Sequence, residues 1–290
     1  MGFTEDVNCV VIAGVGMIGG SIGLALKRAG FKGKIIGFGR RWSSLKRAVD
    51  KKAVDSIEMD LSEALKDADI FIIATPVDTI AGFAKEAIKH TKKGCIITDV
   101  GSTKSKIVKG IESFIPDNIY FVGAHPMAGS HKTGVDSAYP TLFEQNLCII
   151  TPTESTNSNA MQTVSDMWQN IGSVVRFMSP EEHDFLISAA SHLPHVVAYA
   201  LVQVAESVKN QQGRAIDFAS TGFADITRIA SSDPELWCGI LLQNEEMVIS
   251  MIDKMKSELT EFRAILEAKD KSTLMEKLTH IKQIRDSFRK

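Results

Sequence analysis

The chain has 290 residues, 44% of them hydrophobic and 23% charged, with a formal net charge of -2, the profile of an ordinary globular protein long enough for two domains. No long run of Lys or Arg calls for nucleic acid or an anionic membrane as partner. Apolar stretches such as 70–74 and 196–204 are too short to cross a bilayer, so no membrane is expected.

The N-terminal residues are acidic and lack a signal-peptide core, and Asp6 stands where a myristoylation motif needs Ser or Thr. Residues 8–13 form an apolar run that leads into a glycine turn, and 21–29 has helical spacing ending at Gly30. A second strand is predicted over 34–38. A helix follows over 43–51, with Ser43 or Ser44 as its cap, and a short one over 61–66. Strands are predicted over 69–75, 95–99, 120–123, 147–151 and 174–178. Strands alternating with helices imply a mostly parallel sheet covered on both faces. The pattern changes at Ser179-Pro180-Glu181-Glu182, a helix start with Pro at the first position and acids in the first turn. From there the chain reads as helical, with Pro194 interrupting a long apolar helix and Gly213 and Gly222 bracketing a loop. Pro234 opens a helix running towards Glu267, and 271–288 forms another. The expected organisation is an α/β domain over 1–178 and an all-α domain over 179–290. Cys9, Cys95, Cys148 and Cys238 are far apart, a cytoplasmic pattern in which neither a disulfide nor structural zinc is expected.

The first turn carries chemistry. Gly14-Val15-Gly16-Met17-Ile18-Gly19 is G-x-G-x-x-G between an apolar strand and a helix. The first glycine permits the tight turn, the second lets the backbone approach a pyrophosphate, and the third lets the helix pack on the sheet. This makes the N-terminal domain Rossmann-type and dinucleotide-binding, with Met17 and Ile18 beside the phosphates. A nicotinamide cofactor with a free ribose hydroxyl is usually held by Asp or Glu at the end of the second strand. Here the sequence is Gly39-Arg40-Arg41-Trp42-Ser43-Ser44, with two cations and no acid. Arg40, Arg41 and Ser44 suit a ribose phosphate, so NADP is expected in preference to NAD.

Two further motifs follow strand ends on the same edge. Asp99-Val100-Gly101-Ser102-Thr103-Lys104 follows one and His125-Pro126-Met127-Ala128-Gly129-Ser130-His131 the next. A histidine there can act as general base, with Ser102 as a hydrogen-bonding neighbour and an acid limb within a unit or two of the ordinary imidazole pKa of about 6.5. His183 lies near the start of the first C-terminal helix, and His192 and His195 are spaced to share a helix face. That spacing also suits a metal, but no Cys or carboxylate cluster completes a ligand set, and no metal is expected. Asp225 and Arg228 follow Gly222 and read either as a salt bridge or as the cationic half of a dicarboxylate site.

Taken together, G-V-G-M-I-G-G-S, A-T-P-V, D-V-G-S-T-K, G-A-H-P-M-A-G-S, S-P-E-E-H-D, S-H-L-P-H and F-A-D-I-T-R-I-A-S-S-D-P resemble, in order, the prephenate/arogenate dehydrogenases of tyrosine biosynthesis. The likeness runs from about residue 8 to the end. It implies a Rossmann domain followed by an all-helical domain that builds a homodimer. It also implies oxidative decarboxylation of prephenate to 4-hydroxyphenylpyruvate, or of arogenate to tyrosine, with NADP or NAD. By position, His125 resembles the catalytic histidine, with Ser102 its partner near the nicotinamide. His183, His192, His195 and Arg228 resemble substrate-binding residues, and Asp225 an acid that positions the arginine. Thr75-Pro76 resembles a cofactor-contacting strand end. His131 stands where some relatives carry an acid, which favours the keto acid prephenate over the ammonium-bearing arogenate. The rival readings are a β-hydroxyacid dehydrogenase or imine reductase, and a non-catalytic NADP-sensing module. The first group generally lacks the H-P-M-A-G-S and S-H-L-P-H pair, and the second need not keep Ser102, His125 and Arg228 together.

Overall fold

The structure, a computed structural model, describes residues 7–129 and 133–288. Eight strands form one sheet: β1 (Cys9–Ala13), β2 (Lys34–Phe38), β3 (Ser56–Glu58), β4 (Ile70–Ile73), β5 (Ile96–Asp99), β6 (Tyr120–Pro126), β7 (Leu147–Thr151) and β8 (Val174–Phe177). Their spatial order is β3-β2-β1-β4-β5-β6-β7-β8, and every pair is parallel except β6 with β7. Helices α1 (Met17–Arg28), α2 (Trp42–Asp50), α3 (Leu61–Leu65), α4 (Ile80–Ala87), α5 (Ser105–Glu112) and α6 (Ser158–Asn170) cover the faces. The alternation of side chains along β1 explains its unbroken apolar run. Val10 and Ile12 join one core with Ile22, Leu26 and Trp168, while Val11 and Ala13 join a second with Phe71, Ile80 and Ile107.

The expected strands and helices are present, with local differences, four of them in or beside the sheet and at Gly222. β3 was not anticipated, because a three-residue, half-buried strand has no usable periodicity. α2 is preceded by Arg41, so Ser43 and Ser44 lie inside its first turn and do not cap it. Gly222 lies within helix α9 (Thr221–Thr227) rather than in a loop. β6 continues to Pro126, so His125 is a strand residue paired with Ile149 rather than part of the following loop.

Beyond β8 the chain is helical apart from a small ladder, β9 (Lys209–Asn210) with β10 (Gly213–Arg214). α7 (Pro180–Ile187) starts with a capping box, in which Ser179 and Glu182 satisfy each other's backbone N–H groups. A π-helical turn, Ser188–His192, joins it to α8 (Leu193–Ser207). Pro194 lacks an N–H and its ring crowds the preceding turn, which the wider turn absorbs, so the chain stays helical where an interruption was expected. The run Pro180–Ser207 has 28 residues and passes for a membrane span by length and apolar composition, unlike the shorter stretches apparent in the sequence. Along it, His183 and Asp184 are buried against His125 and the backbone of Lys104, and His192 against Asn244, so this face of the run packs on protein.

α10 (Pro234–Gln243) sends Trp237 and Ile240 into the second sheet core. The predicted helix from Pro234 towards Glu267 is broken at Asn244, and α11 (Glu245–Glu267) and α12 (Lys271–Ser287) follow. The chain divides into compact units over 1–244 and 245–290, whereas the change from sheet to helices falls near residue 179. The shared core explains why the helices from α7 to α10 belong with the sheet. In the second unit, Lys277 of α12 bridges Glu258 and Glu261 of α11 at 3.0 and 2.8 Å.

Candidate active site

The glycine turn is built as its spacing predicts. Gly14 has φ +83°, and a Cβ there would lie 2.5 Å from the Ala74 carbonyl oxygen. A Cβ on Gly19 would lie 2.4 Å from the Gly14 oxygen, so the third glycine is required by packing. Gly16 faces open space, with nothing within 4 Å of an added Cβ. That opening lies at the N-terminus of α1, where Met17 and Ile18 begin the helix and no side chain caps it. A helix N-terminus without a side-chain cap, beside an uncrowded glycine, fits a pyrophosphate. Thr75 and Pro76 follow β4 against this turn, and Thr79 Oγ1 donates to Thr75 Oγ1 at 2.8 Å. At the end of β2, Arg40 and Arg41 are exposed and make no ion pair among the described residues, while half-buried Ser44 lies one helical turn on.

The second half of the site is a chain of buried side chains. His125 Nδ1 lies 2.8 Å from His183 Nε2, and His183 Nδ1 lies 2.8 Å from Asp184 Oδ1. A carboxylate only accepts, so His183 carries its proton on Nδ1 and its Nε2 accepts. His125 must then donate from Nδ1, which leaves Nε2 as the lone-pair nitrogen. Asp184 is itself held by the backbone N–H groups of Lys104 and Ser105, both at 2.8 Å, and so caps α5 from a distant part of the chain. Burial pushes Asp184 up, but its bonds from His183 and Ser105 outweigh this and hold it below the usual carboxylate value. Burial pushes His183 down more than Asp184 raises it. Burial also drives His125 well below the ordinary imidazole value, assisted by the nearby His183, Lys104 and His192. The ring is therefore neutral at neutral pH, as a base must be.

Lys104 is wholly buried. Its ammonium bonds Asp99 and, at 3.0 Å, the carbonyl of Ala124. Asp99 also accepts from the Gly101 and Ala124 N–H groups at 2.8 and 3.3 Å. This pair locks the loop bearing Ser102 to the strand bearing His125.

Ser102, His125, Met127, Ile187, His192 and Trp237 line a cleft of about 160 Å3. A larger open groove, about 710 Å3, lies by Lys27, Phe31 and Lys34 at the opposite end of β2, away from these groups. His195 stacks on Trp237 with ring centroids 3.4 Å apart, and Ser191 O accepts from its Nδ1 at 2.9 Å. Burial lowers the His195 pKa, and the positive charge of Arg228 adds to this. Arg228 and Asp225 are both exposed and make no ion pair among the described residues, so the anticipated bracing of the arginine by Asp225 is absent there. His131 lies outside the described residues.

Two further expectations change. His183 was expected to touch substrate, but it is fully buried and bonded through both ring nitrogens. Ser102 reaches the same cleft as His125, but the partner of His125 Nδ1 is His183. Sequence reasoning assigned no role to Asp99, Lys104 or Asp184, although all three stand inside the quoted motifs. Trp237 and Asn244 left no local signal.

Comparison with known proteins gives a consistent result. The family description "Prephenate dehydrogenase, nucleotide-binding domain" matches residues 22–177, and "Prephenate dehydrogenase, dimerization domain" matches 179–280. The chain is 37% identical to prephenate dehydrogenase of Bacillus subtilis (strain 168) over 97% of its own length and 76% of that protein. The crystal structure of prephenate dehydrogenase from A. aeolicus in complex with hydroxyphenyl propionate and NAD+ superposes with a TM-score of 0.93 at 34% identity, covering 97% of this chain and 98% of that one. Synechocystis arogenate dehydrogenase gives a TM-score of 0.84 at 28% identity, covering 96% and 99%.

Proposed function

The chain belongs to the prephenate dehydrogenase family, and we propose on that footing that it oxidatively decarboxylates prephenate to 4-hydroxyphenylpyruvate in tyrosine biosynthesis, using NADP or NAD. The observation that carries this reading is the relay Asp184–His183–His125, which ends on a neutral ring nitrogen in a cleft shared with Ser102. His125 Nε2 accepts the proton of the ring hydroxyl as hydride leaves the carbon bearing it. The ring carboxylate departs as CO2, its bonding electrons enter the ring, and aromatisation drives the step. A nicotinamide, when bound, supplies the hydride acceptor. Ser102 hydrogen-bonds near the reacting hydroxyl, while His192, His195 and Arg228 face the substrate. Of the two family substrates, prephenate is favoured over arogenate by His131. The reaction is tested by assaying prephenate and arogenate, each with NAD and NADP, beside a panel of hydroxy acids. Turnover of a hydroxy acid and of neither cyclohexadienyl substrate would overturn the reading.

NADP is the preferred cofactor, because Arg40 and Arg41 are exposed cations, with no ion pair among the described residues, at the place where an acid would hold the ribose hydroxyls. An added side chain at Gly39 meets Leu45 only at 3.4 Å, an ordinary contact, so Gly39→Asp is tolerated. Gly39→Asp with Arg40→Gln is expected to reverse the ratio of kcat/KM for the two cofactors. Equal or better activity with NAD in the unaltered enzyme would refute the preference.

Arg228 binds a substrate carboxylate. Its guanidinium is exposed, so the bond is worth about 1.5–3 kcal/mol rather than a fully buried pair's value, and Arg228→Ala should raise KM about 10- to 100-fold. The Kd of NADP should hold; a change in that Kd with KM unmoved would place Arg228 on the cofactor instead.

We further propose a division into a nucleotide-binding domain to residue 178 and a helical domain from 179, a homodimer formed through the latter, and a cytoplasmic location. Exposed Leu201, Val204 and Val208 near the end of α8, and Met275, Leu278 and Ile281 on α12, supply apolar surface for a second copy.

A further inference from the structure

The cleft holds a second buried imidazole, and its orientation is set by Asn244. This residue ends α10 and is buried. Its Nδ2 donates to the Asp184 carbonyl oxygen at 2.9 Å and lies 3.2 Å from His192 Nδ1. A carbonyl oxygen can only accept, so the nitrogen end of the amide faces both groups. The second amide proton therefore goes to His192 Nδ1, which accepts. The His192 pKa is pushed down to about 4, chiefly by burial, so the ring is neutral at neutral pH. A neutral ring that accepts at Nδ1 carries its proton on Nε2. That nitrogen is buried with no partner among the described residues, in a side chain that is 1% exposed and lines the cleft beside Ser102, His125 and Trp237. A buried N–H is costly unless an acceptor completes it.

We propose that Asn244 is a positioning residue that fixes His192 as a neutral Nε2–H donor to an oxygen of the substrate. The two cleft histidines then play opposite parts. Asp184 and His183 make His125 an acceptor at Nε2, and Asn244 makes His192 a donor at the same ring position. One residue links the two arrangements, because Asn244 binds the main-chain carbonyl of the aspartate whose side chain directs His125. A neutral donor binds an anionic oxygen without adding a second proton source strong enough to protonate the base.

This inference rests on the reading of the cleft as the prephenate site. Heteronuclear NMR of histidine side chains in the NADP-bound enzyme should show His192 protonated at Nε2 and not at Nδ1. In Asn244→Asp the new carboxylate accepts from Nδ1, so the proton should move there, and KM for prephenate should rise about 10- to 100-fold with the Kd of NADP unchanged. The wild-type spectrum decides the tautomer even where the variant fails to fold. A wild-type His192 protonated at Nδ1 would overturn the proposal, as would a folded Asn244→Asp enzyme with a moved proton and an unaltered KM. No prephenate turnover by the wild-type enzyme would instead overturn the functional reading and with it the substrate half of the inference, while the spectrum still reads the tautomer half.

Discussion

His125→Asn is expected to lower kcat by about 10²–10⁴-fold, the usual worth of a general base. The ring it removes is the only one in the described cleft whose outer nitrogen is set as an acceptor by a buried carboxylate relay. The Kd of NADP should barely change, because the phosphates rest on the turn from Gly14 to Gly19. The pH profile gives an independent check. Burial, with His183, Lys104 and His192 adding to it, holds the pKa of His125 well below 6.5. A base is active when deprotonated, so the activity of the wild-type enzyme should persist as pH falls through 6.5 and decline only at lower pH. That acid limb should vanish in the residual activity of His125→Asn. If His125 only braces the turn at Pro126, the variant should lose thermal stability while keeping near-normal kcat and the same acid limb.

Asp184→Asn should be nearly as damaging, although this residue touches no substrate. The carboxylate accepts from His183 Nδ1 and from two backbone N–H groups. An amide offers one accepting oxygen and one donating nitrogen. Oδ1 accepts from both His183 Nδ1 and the Lys104 N–H, and Oδ2 from the Ser105 N–H, so no orientation of an amide keeps all three bonds. With the nitrogen turned to Ser105 only the cap bond there is lost; with the nitrogen turned to His183, Nδ1 must accept, Nε2 must donate to His125 Nδ1, and the proton of His125 shifts to Nε2. The base then faces its substrate in the wrong tautomer. Loss of the aspartate in a related buried carboxylate–imidazole arrangement costs about 10⁴-fold in kcat. Here a fall of about 10²–10⁴-fold is expected, with KM and the Kd of NADP altered far less. Capping of α5 also weakens, so melting temperature must be measured beside the kinetics. A folded Asp184→Asn enzyme whose His125 proton has moved to Nε2 by NMR but whose kcat stays within a few-fold of wild type would show that the tautomer set by the relay does not control catalysis.

The legibility of these features differed with the range of the interactions that create them. The glycine turn could be read because its requirements are local: a positive φ at Gly14, a close approach at Gly19 and open space at Gly16 all arise within one strand-turn-helix unit. The helix start at Ser179-Pro180-Glu181-Glu182 was readable for the same reason, although its capping box emerged only in the structure. The break at Asn244 was not, because α10 and α11 carry compatible local spacing and the amide there is engaged with Asp184 and His192 instead. His125 could be proposed as base from its place after a strand, but its tautomer could not.

By itself, the sequence determined the dinucleotide turn, the alternation that builds the sheet, the family and the chemical groups brought to the cleft. Only the tertiary structure decided what each group does. It buried His183 and turned it into a relay, and gave Asp184 to the N-terminus of α5. It also placed Lys104 on Asp99 and Asn244 on His192. The deciding bonds join residues 58, 60 and 80 positions apart, from His183 to His125, Asn244 to Asp184 and Asp184 to Lys104. The physical reason is that an imidazole's proton sits on whichever nitrogen its buried partners leave to it, and those partners are chosen by packing across the fold rather than by neighbours along the chain.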